Sequence, residues 1–243
     1  MSDRLEGLLP DPDAIPASGP GPALVVFDFD GTLAEQRGSW GLLYRLFGVE
    51  PDGVDRTDAY WDGDLSFQSW CEGNVADWRE RGVTASHLRR AAEAIKLTEG
   101  AGDLLETLSA GDVPFGVLSS GVLDLMARIE THDPAFIVSN EILYEDGVPV
   151  DVRAHVGPDD KGELLRRLCA AVDVDSEDVV YVGDSHSDVE AFEVAGTAVL
   201  FDPDDRIEED QYDLVDHLQT RRDLAELVDV IPVPGPPSSG HET

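Results

Sequence analysis

The chain has 243 residues, of which 42% are hydrophobic, so it can bury the core of one large domain or two small ones. Asp and Glu number 51 and Lys and Arg 17, which gives a formal net charge of −34 at pH 7. A surface of this sign repels phosphate backbones and anionic lipid headgroups, which argues against nucleic-acid and membrane partners.

The acidic residues are spread along the whole chain, and only two of the basic residues are lysines, Lys96 and Lys161. Both features favour a protein adapted to molar salt, where a Debye length of about 3 Å screens self-repulsion. The N-terminal stretch lacks the pattern of a signal peptide, and no apolar run reaches the length of a membrane span. The two cysteines, Cys71 and Cys169, form no metal-binding or disulfide pattern. We therefore expect a cytoplasmic protein.

Short apolar runs alternate with helical patterns between two Pro- and Gly-rich ends, which we expect to be mobile tails at 1–22 and 231–243. Strands are predicted at 23–29, 113–119, 135–140, 178–184 and 197–202. Helices are predicted at 100–111, 122–131, 161–172, 188–196 and 221–229. Asp146-Gly147, between two short runs in 140–152, predicts a β-hairpin. The alternation predicts an α/β fold with a doubly wound, mostly parallel sheet.

Residues 35–97 interrupt this alternation. The stretch contains all four tryptophans, and between 66 and 82 its apolar residues recur at helical spacing. We therefore predict a small all-helical cap at 35–97, inserted after the first strand of a core formed by 23–34 and 98–230.

Two acidic residues follow the first predicted strand. Asp28 and Asp30 share one face, because side chains alternate along a strand, and the carboxyl end of the strand faces the ligand crevice of an open α/β sheet. Two carboxylates this close raise a pKa unless a cation shares their site, and a hard divalent ion, most simply Mg²⁺, fits best. Gly31 permits a sharp turn directly after them.

Hydroxyl groups and a lysine follow later strands. Ser119, Ser120 and Gly121 end the second predicted strand, next to a helix expected from Val122, so they suit either a phosphate or a plain helix cap. Lys161 begins a predicted helix, where a cation opposes the helix dipole. This placement favours a phosphate-binding lysine over an exposed loop lysine.

A second pair of carboxylates follows the fourth predicted strand. Asp184 comes directly after it, and Asp188 lies four residues further on. Both can reach the crevice that Asp28 and Asp30 face. One of the pair can bind the metal directly, while the other can hold Lys161 or a metal-bound water.

Four motifs occur in a fixed order: Asp-x-Asp-Gly-Thr at 28–32, Ser-Ser-Gly at 119–121, Lys-Gly-Glu at 161–163 and Gly-Asp-(x)₃-Asp at 183–188. Together they resemble the haloacid dehalogenase superfamily of phosphatases, and most closely its phosphoserine phosphatase-like branch, which has a helical cap after the first motif. The similarity covers 23–202.

This resemblance implies an Mg²⁺-dependent phosphomonoester hydrolase acting on a small phosphorylated metabolite. Asp28 would be the nucleophile that forms an aspartyl-phosphate, and Asp30 would be the acid and base. Ser119 and Lys161 would bind the phosphoryl group. The implied metal site comprises Asp28, Asp184 and the main-chain carbonyl of Asp30, with Asp188 supporting either the metal shell or the lysine.

Two positions depart from the pattern of phosphoserine phosphatases. The glutamate that receives the substrate ammonium, nine residues after the nucleophile, is Arg37 here. The cap arginine seven residues after the equivalent of Phe67, which binds the substrate carboxylate, is Asn74. An ammonium next to Arg37 is repelled, whereas a carboxylate or hydroxyl can accept its hydrogen bonds. We therefore predict that a non-amino ester, such as a phosphoglycolate, phosphoglycerate or sugar phosphate, is preferred; the alternative is that Arg37 points to solvent.

Other functions use similar residues. A phosphomutase or phosphotransferase of the same superfamily would pass the phosphoryl group to a sugar hydroxyl. A dehalogenase would lack the second acid, Asp30. A phospho-accepting receiver domain would be about half as long and would lack the helical insert.

Overall fold

A computed structural model describes Ile15 and residues 21–233, without the side chains of 50–53. Most of the two predicted tails lies outside the described residues. At their inner ends, however, Ile15 and Ile231 are buried in the hydrophobic core. The hydrophobic core therefore includes Ile231, the first residue of the predicted C-terminal tail.

The described residues form a seven-stranded sheet with the order β4-β3-β2-β1-β5-β6-β7. Its strands are β1 (Leu24–Phe27), β2 (Phe115–Val122), β3 (Phe136–Glu145), β4 (Val148–Arg153), β5 (Val179–Gly183), β6 (Thr197–Phe201) and β7 (His217–Gln219). All neighbouring strands are parallel except β3 and β4, which form an antiparallel hairpin. The predicted α/β fold with a mostly parallel sheet is confirmed.

Helices precede, connect and cover these strands. They are α1 (Ser39–Phe47), α2 (Glu50–Trp61), α3 (Phe67–Glu80), α4 (Ala85–Ala94), α5 (Ala101–Ala110), α6 (Ala127–Glu130), α7 (Lys161–Ala171) and α8 (Val189–Phe192). The helices α1–α4 follow one another between β1 and α5, within the segment where the sequence predicts a helical insert. No helix among the described residues is both long and apolar enough to cross a membrane.

The central strand β1 is buried on both faces, as expected for a parallel strand covered by helices. Val25 and Phe27 belong to a core that includes α5 and the helical insert, whereas Leu24 and Val26 belong to a second core with α7 and α8. Packing on both faces fixes the strand, so residues that directly follow it have a defined position.

The helical insert has an aromatic core. The rings of Trp40 and Trp78 stack with centroids 5.5 Å apart, and Trp40 meets Trp70 edge-on at 5.0 Å. All three are buried, whereas Trp61 at the end of α2 is 53% exposed. Ser66 begins α3 by accepting a hydrogen bond from the amide of Ser69.

The elements differ from prediction mainly near the chain's C-terminal end. The predicted helix at 221–229 is only a short 3₁₀ helix, Leu224–Asp229, and β7 was not predicted because its three residues are mostly exposed and lack an apolar run. The predicted hairpin is present: Asp146 and Gly147 adopt φ of 48° and 77°, as a tight two-residue turn requires.

Candidate active site

Three carboxylates and one lysine meet at the carboxyl edge of the sheet. Asp28 directly follows β1, Asp184 directly follows β5, and Lys161 is the first residue of α7. Because β1 and β5 are parallel neighbours, their ends lie side by side. Oxygen atoms of Asp28, Asp184 and Asp188 lie within 4.8 Å of one another, and all three residues are buried.

Lys161 lies between two of these carboxylates and is completely buried. Its Nζ is 2.9 Å from Oδ2 of Asp28 and 2.6 Å from Oδ1 of Asp188. Burial alone would lower the pKa of this lysine, but Asp188 and Asp28 more than offset it and raise the pKa above the ordinary value. The lysine therefore stays charged beside Asp28, and the alternative of an exposed loop lysine is excluded.

Asp188 has donors on both of its oxygens. Besides Lys161, the hydroxyl of Tyr181 donates to Oδ1 at 2.8 Å. The main-chain amides of Asp184 and Ser185 donate to Oδ2 at 3.1 and 3.0 Å. Of the two roles that the sequence leaves open for Asp188, this geometry favours holding the lysine.

Asp28 and Asp184 are carboxylates whose ionised forms lose water on burial. Burial raises the pKa of Asp28 to about 7 and that of Asp184 to about 9, and the nearby charge of Asp188 adds to the rise in both. Oδ1 of Asp184 is buried, and no described residue hydrogen-bonds to it. A buried carboxylate oxygen in this state is one that a cation would satisfy.

Asp30 points to the helical insert rather than to the lysine. Its Oδ2 accepts a hydrogen bond from the amide of Ser39 at 2.6 Å, and its Oδ1 accepts from the Ser39 hydroxyl at 2.7 Å and from Gln36 at 2.9 Å. Burial raises the pKa of this carboxyl above its ordinary value, and these hydrogen bonds oppose that rise. Asp30 thus joins the strand end to the first residue of α1.

Two glycines allow this close packing. Gly31 has a φ of +86°, and a Cβ there would lie 2.1 Å from Oδ2 of Asp184. A Cβ on Gly183, the last residue of β5, would lie 2.3 Å from Cγ of Asp188. Any larger residue at either position would displace a carboxylate of the site.

The segment Ser119–Gly121 differs from its predicted setting. It does not lie at a helix N-terminus, because β2 continues through it to Val122 with a register shift against β3, and a 3₁₀ helix begins at Leu123. The amide of Gly121 donates to the Ser119 hydroxyl at 3.2 Å. The carbonyl of Ser120 accepts from Trp40 and Asn140 at 3.1 and 2.8 Å. The segment is a fixed bulge in the strand next to the carboxylates.

A cavity of about 160 Å³ opens above these groups. Its lining includes Asp28, Asp30, Asp184, Ser120, Arg37, Trp40, Trp61, His186, Asp204 and Arg206. Ser119, Gly121 and Lys161 are not among the described residues that line it. The rings of Trp61 and His186 lie 5.9 Å apart at centroid, so the helical insert and the loop after β5 contact each other here.

Arg37 lines this cavity, as expected of a substrate contact, but two carboxylates hold it. Its guanidinium lies 3.0 Å from Oδ2 of Asp184 and 2.8 Å from Oδ2 of Asp202. Arg222 binds the same oxygen of Asp202 at 2.7 Å and donates to the carbonyl of Glu35. The alternative that Arg37 simply points to solvent is therefore wrong.

The two other expected substrate contacts lie within the helical insert. Phe67 packs against Trp70, with ring centroids 5.4 Å apart, and Asn74 is fully buried. Arg56 donates to Oδ1 of Asn74 at 2.5 Å. Neither Phe67 nor Asn74 is among the described residues that line the cavity. Asn74 thus lies in the insert's interior, where Arg56 of α2 reaches it, and Phe67 is half-buried against the insert's aromatic core.

The donor set fits the predicted magnesium ion. Asp28 and Asp184 supply hard carboxylate oxygens, and one of them, Oδ1 of Asp184, lacks any partner among the described residues. The carboxylate oxygens of Asp30 and Asp188 accept hydrogen bonds from other groups, and those of Asp28 lie against the Phe29 amide and Lys161. The family resemblance implies that Asp30 would contribute its main-chain carbonyl.

Several residues of the site carry no signal in the sequence. In the sequence, Tyr181 is one of several apolar residues in a predicted buried strand, and Ser39 has only the pattern of a residue at the start of a helix. Trp61 and Arg206 come to the cavity from segments 145 positions apart in the chain, and only the fold brings them together.

Comparisons with known proteins give a consistent result. The family model of haloacid dehalogenase-like hydrolases matches residues 22–196. A phosphoserine phosphatase of Halobacterium salinarum is 32% identical over 74% of this chain and 86% of that protein. One of Methanocaldococcus jannaschii is 28% identical over 73% and 84%. A solved structure, described as a phospho-aspartyl intermediate analogue of phosphoserine phosphatase, is 25% identical with a TM-score of 0.66, over 86% of this chain and 98% of that one.

Proposed function

We propose a set of residue roles for this chain, which belongs to the haloacid dehalogenase-like hydrolases and is a phosphatase of that family. In this proposal Asp28 is the nucleophile that takes the phosphoryl group from a small phosphate monoester. The observation that carries it is the contact of Lys161 Nζ with Asp28 at 2.9 Å and with Asp188 at 2.6 Å. A buried, permanently charged lysine holds the carboxylate in place and offers its charge to incoming phosphate oxygens.

The reaction has two displacements. In the first, a carboxylate oxygen of Asp28 attacks phosphorus, the bond to the leaving oxygen breaks, and Asp30 donates a proton to that oxygen. In the second, Asp30 takes a proton from water as the water attacks the phosphorus of the aspartyl-phosphate, the bond between phosphorus and the Asp28 oxygen breaks, and inorganic phosphate and the free Asp28 carboxylate are released. The raised pKa of Asp30 suits the first step, because the group must carry a proton before it can donate one.

The remaining groups of the site would hold the metal ion or contact the oxygens of the phosphoryl group. Asp28, Asp184 and the carbonyl of Asp30 would hold Mg²⁺, which neutralises the oxygens of the transferring phosphoryl group when bound. Lys161, whose Nζ is 2.9 Å from Oδ2 of Asp28, supplies a second positive charge. Ser119 stands at the bulge of β2, where its hydroxyl is buried and can reorient from Gly121 toward a phosphate oxygen.

An assay with a generic aryl phosphate tests this proposal. We expect hydrolysis with Mg²⁺ and loss of hydrolysis with a chelator. Release of inorganic phosphate in water, with no transfer to added sugars, separates a phosphatase from a phosphomutase or phosphotransferase. Equal rates with metal and with chelator would overturn the proposed chemistry.

For the substrate, we propose a non-amino phosphate ester with an anionic or hydroxylated leaving group. Arg37 and Arg206 line the cavity, and Oδ2 of Asp204, which also lines it, is paired with Arg206 at 2.6 Å. An ammonium group therefore meets cationic side chains, whereas a carboxylate or hydroxyl finds donors.

Phosphoserine and 3-phosphoglycerate form a matched pair of substrates, because 3-phosphoglycerate has a hydroxyl group where phosphoserine has its ammonium group. We expect a higher kcat/KM for 3-phosphoglycerate. Phosphoserine is the alternative, favoured by the described activity of the relatives. A clear preference for phosphoserine would overturn the substrate proposal and leave the phosphatase intact.

A further inference from the structure

Arg37 forms an ion pair with Asp184, one of the proposed metal ligands. It lies in the short connection between β1 and α1, and its side chain crosses to the carboxyl ends of β5 and β6. There one nitrogen of the guanidinium is 3.0 Å from Oδ2 of Asp184, and the other is 2.8 Å from Oδ2 of Asp202 and also donates to the Asp202 carbonyl. Its side chain is 34% exposed, whereas that of Asp184 is 2% exposed.

Asp184 is therefore shared between two kinds of cation. Its Oδ2 is paired with Arg37, while its Oδ1 is buried with no partner among the described residues. One carboxylate oxygen of Asp184 lies within 4.8 Å of oxygens of Asp28 and Asp188. A divalent ion on Asp184 and the guanidinium on the same carboxylate repel each other at short range, in a site where water screens them poorly. Binding of one must weaken binding of the other, since such coupling is reciprocal.

We propose that Arg37 is a built-in counter-cation of Asp184 that sets the Mg²⁺ affinity of the site. Without the divalent ion it lies against the buried carboxyl of Asp184, favours its ionised form and stabilises the folded chain. With the ion bound it loses part of its hold on Asp184 and keeps Asp202 as its anchor. This inference rests on the metal site of the proposed function, but not on the identity of the substrate or on turnover.

Arg206 provides a matched control. It lines the same cavity and carries the same charge, but its side chain pairs with Asp204 and not with Asp184. Arg206→Gln therefore removes one positive charge from the neighbourhood without freeing the metal ligand. Arg37→Gln removes the charge and frees Oδ2 of Asp184. Arg37→Lys keeps the charge on a compact ammonium group.

Isothermal titration of the metal-free proteins with MgCl₂, at one fixed KCl concentration, tests the proposal without any substrate. We expect Arg37→Gln to bind Mg²⁺ more tightly than the wild type by about fivefold or more, the lower end of coupling between two sites. Arg206→Gln and Arg37→Lys should stay close to the wild type. In chelator, thermal unfolding of Arg37→Gln should occur at a lower temperature than that of the wild type, and Mg²⁺ should remove most of this difference.

If Arg37→Gln does not fold in chelator, it can be prepared with Mg²⁺, and its affinity can be measured by competition with a metallochromic chelator. Equal or weaker Mg²⁺ binding by Arg37→Gln would overturn the proposal, as would an equal gain in Arg206→Gln. Tighter binding in a chain that hydrolyses no phosphate ester would support the role of Arg37 while overturning the proposed function. A lack of Mg²⁺ binding in every variant would overturn both.

Discussion

Asp28 and Asp30 are only two residues apart, yet the fold gives their carboxylates different partners. Asp28 faces Lys161, a fixed charge, whereas Asp30 faces Ser39 and Gln36, which are neutral donors. A carboxylate beside a cation suits a nucleophile, and one held by neutral groups can gain and lose a proton at smaller cost. The two roles thus follow from the surroundings and not from the residue type.

Substitution of each acid by its amide separates the roles. Asp28→Asn removes the nucleophile, so we expect no measurable hydrolysis of an aryl phosphate. Asp30→Asn keeps the nucleophile and loses proton transfer, so we expect a rate lower by about 10²–10⁴-fold. Asp146→Asn, on the exposed turn of the β3–β4 hairpin, is the matched control and should keep wild-type activity. Wild-type rates in Asp30→Asn would refute its assignment as acid and base.

Protons and Mg²⁺ compete for Asp28 and Asp184. Burial raises their pKa values to about 7 and about 9, so the metal-free folded protein holds protons there that the unfolded chain has released. These groups therefore favour the folded state at low pH, and their contribution is lost as pH rises through the folded pKa values. Bound Mg²⁺ reverses this, because it requires the ionised carboxylates.

The pH dependence of stabilisation by Mg²⁺ tests whether protons and the metal compete for these carboxylates. We expect the increase in Tm on adding Mg²⁺ to be larger at about pH 8 than at about pH 5.5, since fewer protons must be displaced at the higher pH. In Asp184→Asn the increase should be small at both values. A larger increase at the lower pH would contradict the assignment of these carboxylates as ligands.

The order of the motifs let the sequence bring the acids and the lysine to one crevice and offer Asp184 or Asp188 as a partner of Lys161, but it gave no partner for Arg37. Asp184 and Arg37 are 147 positions apart, and their ion pair depends on β1 and β5 being neighbours. The contact of Asn74 with Arg56 could not be predicted either, because the spacing from Phe67 carries no information on a side chain that comes from another helix.

Strand ends, rather than loops, set the geometry of the site at the scale of the elements. β1 and β5 are apolar runs buried on both faces, which is why their positions and the polar residues after them could be predicted. The end of β2 was harder, since Ser119–Gly121 looks like a helix start in sequence. Pairing with β3 continues the strand instead and places a bulge there.

The end of β5 offers a test of this close packing. In Gly183→Ala the new Cβ would meet Asp188 Cγ at 2.3 Å, so Asp188 must shift and Lys161 with it. A displacement near 1 Å costs on the order of 10²-fold in rate, which we expect in the aryl phosphate assay. Gly102→Ala on α5 is the control, because its Cβ would meet no atom closer than 3.8 Å. Unchanged rates in Gly183→Ala would show that the contact between β5 and Asp188 tolerates movement.

For the whole molecule, charge is the dominant feature. The formal net charge is −34, yet the cations Lys161 and Arg37 are held close to the proposed catalytic carboxylates. The sequence predicted the sheet and the helical insert from apolar patterns alone, because burial fixes them regardless of surface charge. The repulsion among the many carboxylates depends instead on the ionic strength of the solvent, and the pattern of apolar residues carries no information about that repulsion.

We predict that salt stabilises this fold by screening repulsion among its carboxylates. The Debye length is about 30 Å at 0.01 M and about 3 Å at 1 M, so dilution lets charges across the whole surface interact. Circular dichroism during thermal unfolding, over a series of KCl concentrations, should show a Tm that rises steeply with salt. Neutralising the exposed residues Glu209, Asp210 and Asp213 to their amides should lower the salt needed to reach the same Tm. The native spectrum and an unchanged Tm in about 0.05 M KCl would contradict adaptation to high salt, since at that ionic strength the Debye length exceeds about 10 Å and carboxylates well beyond nearest neighbours still repel one another.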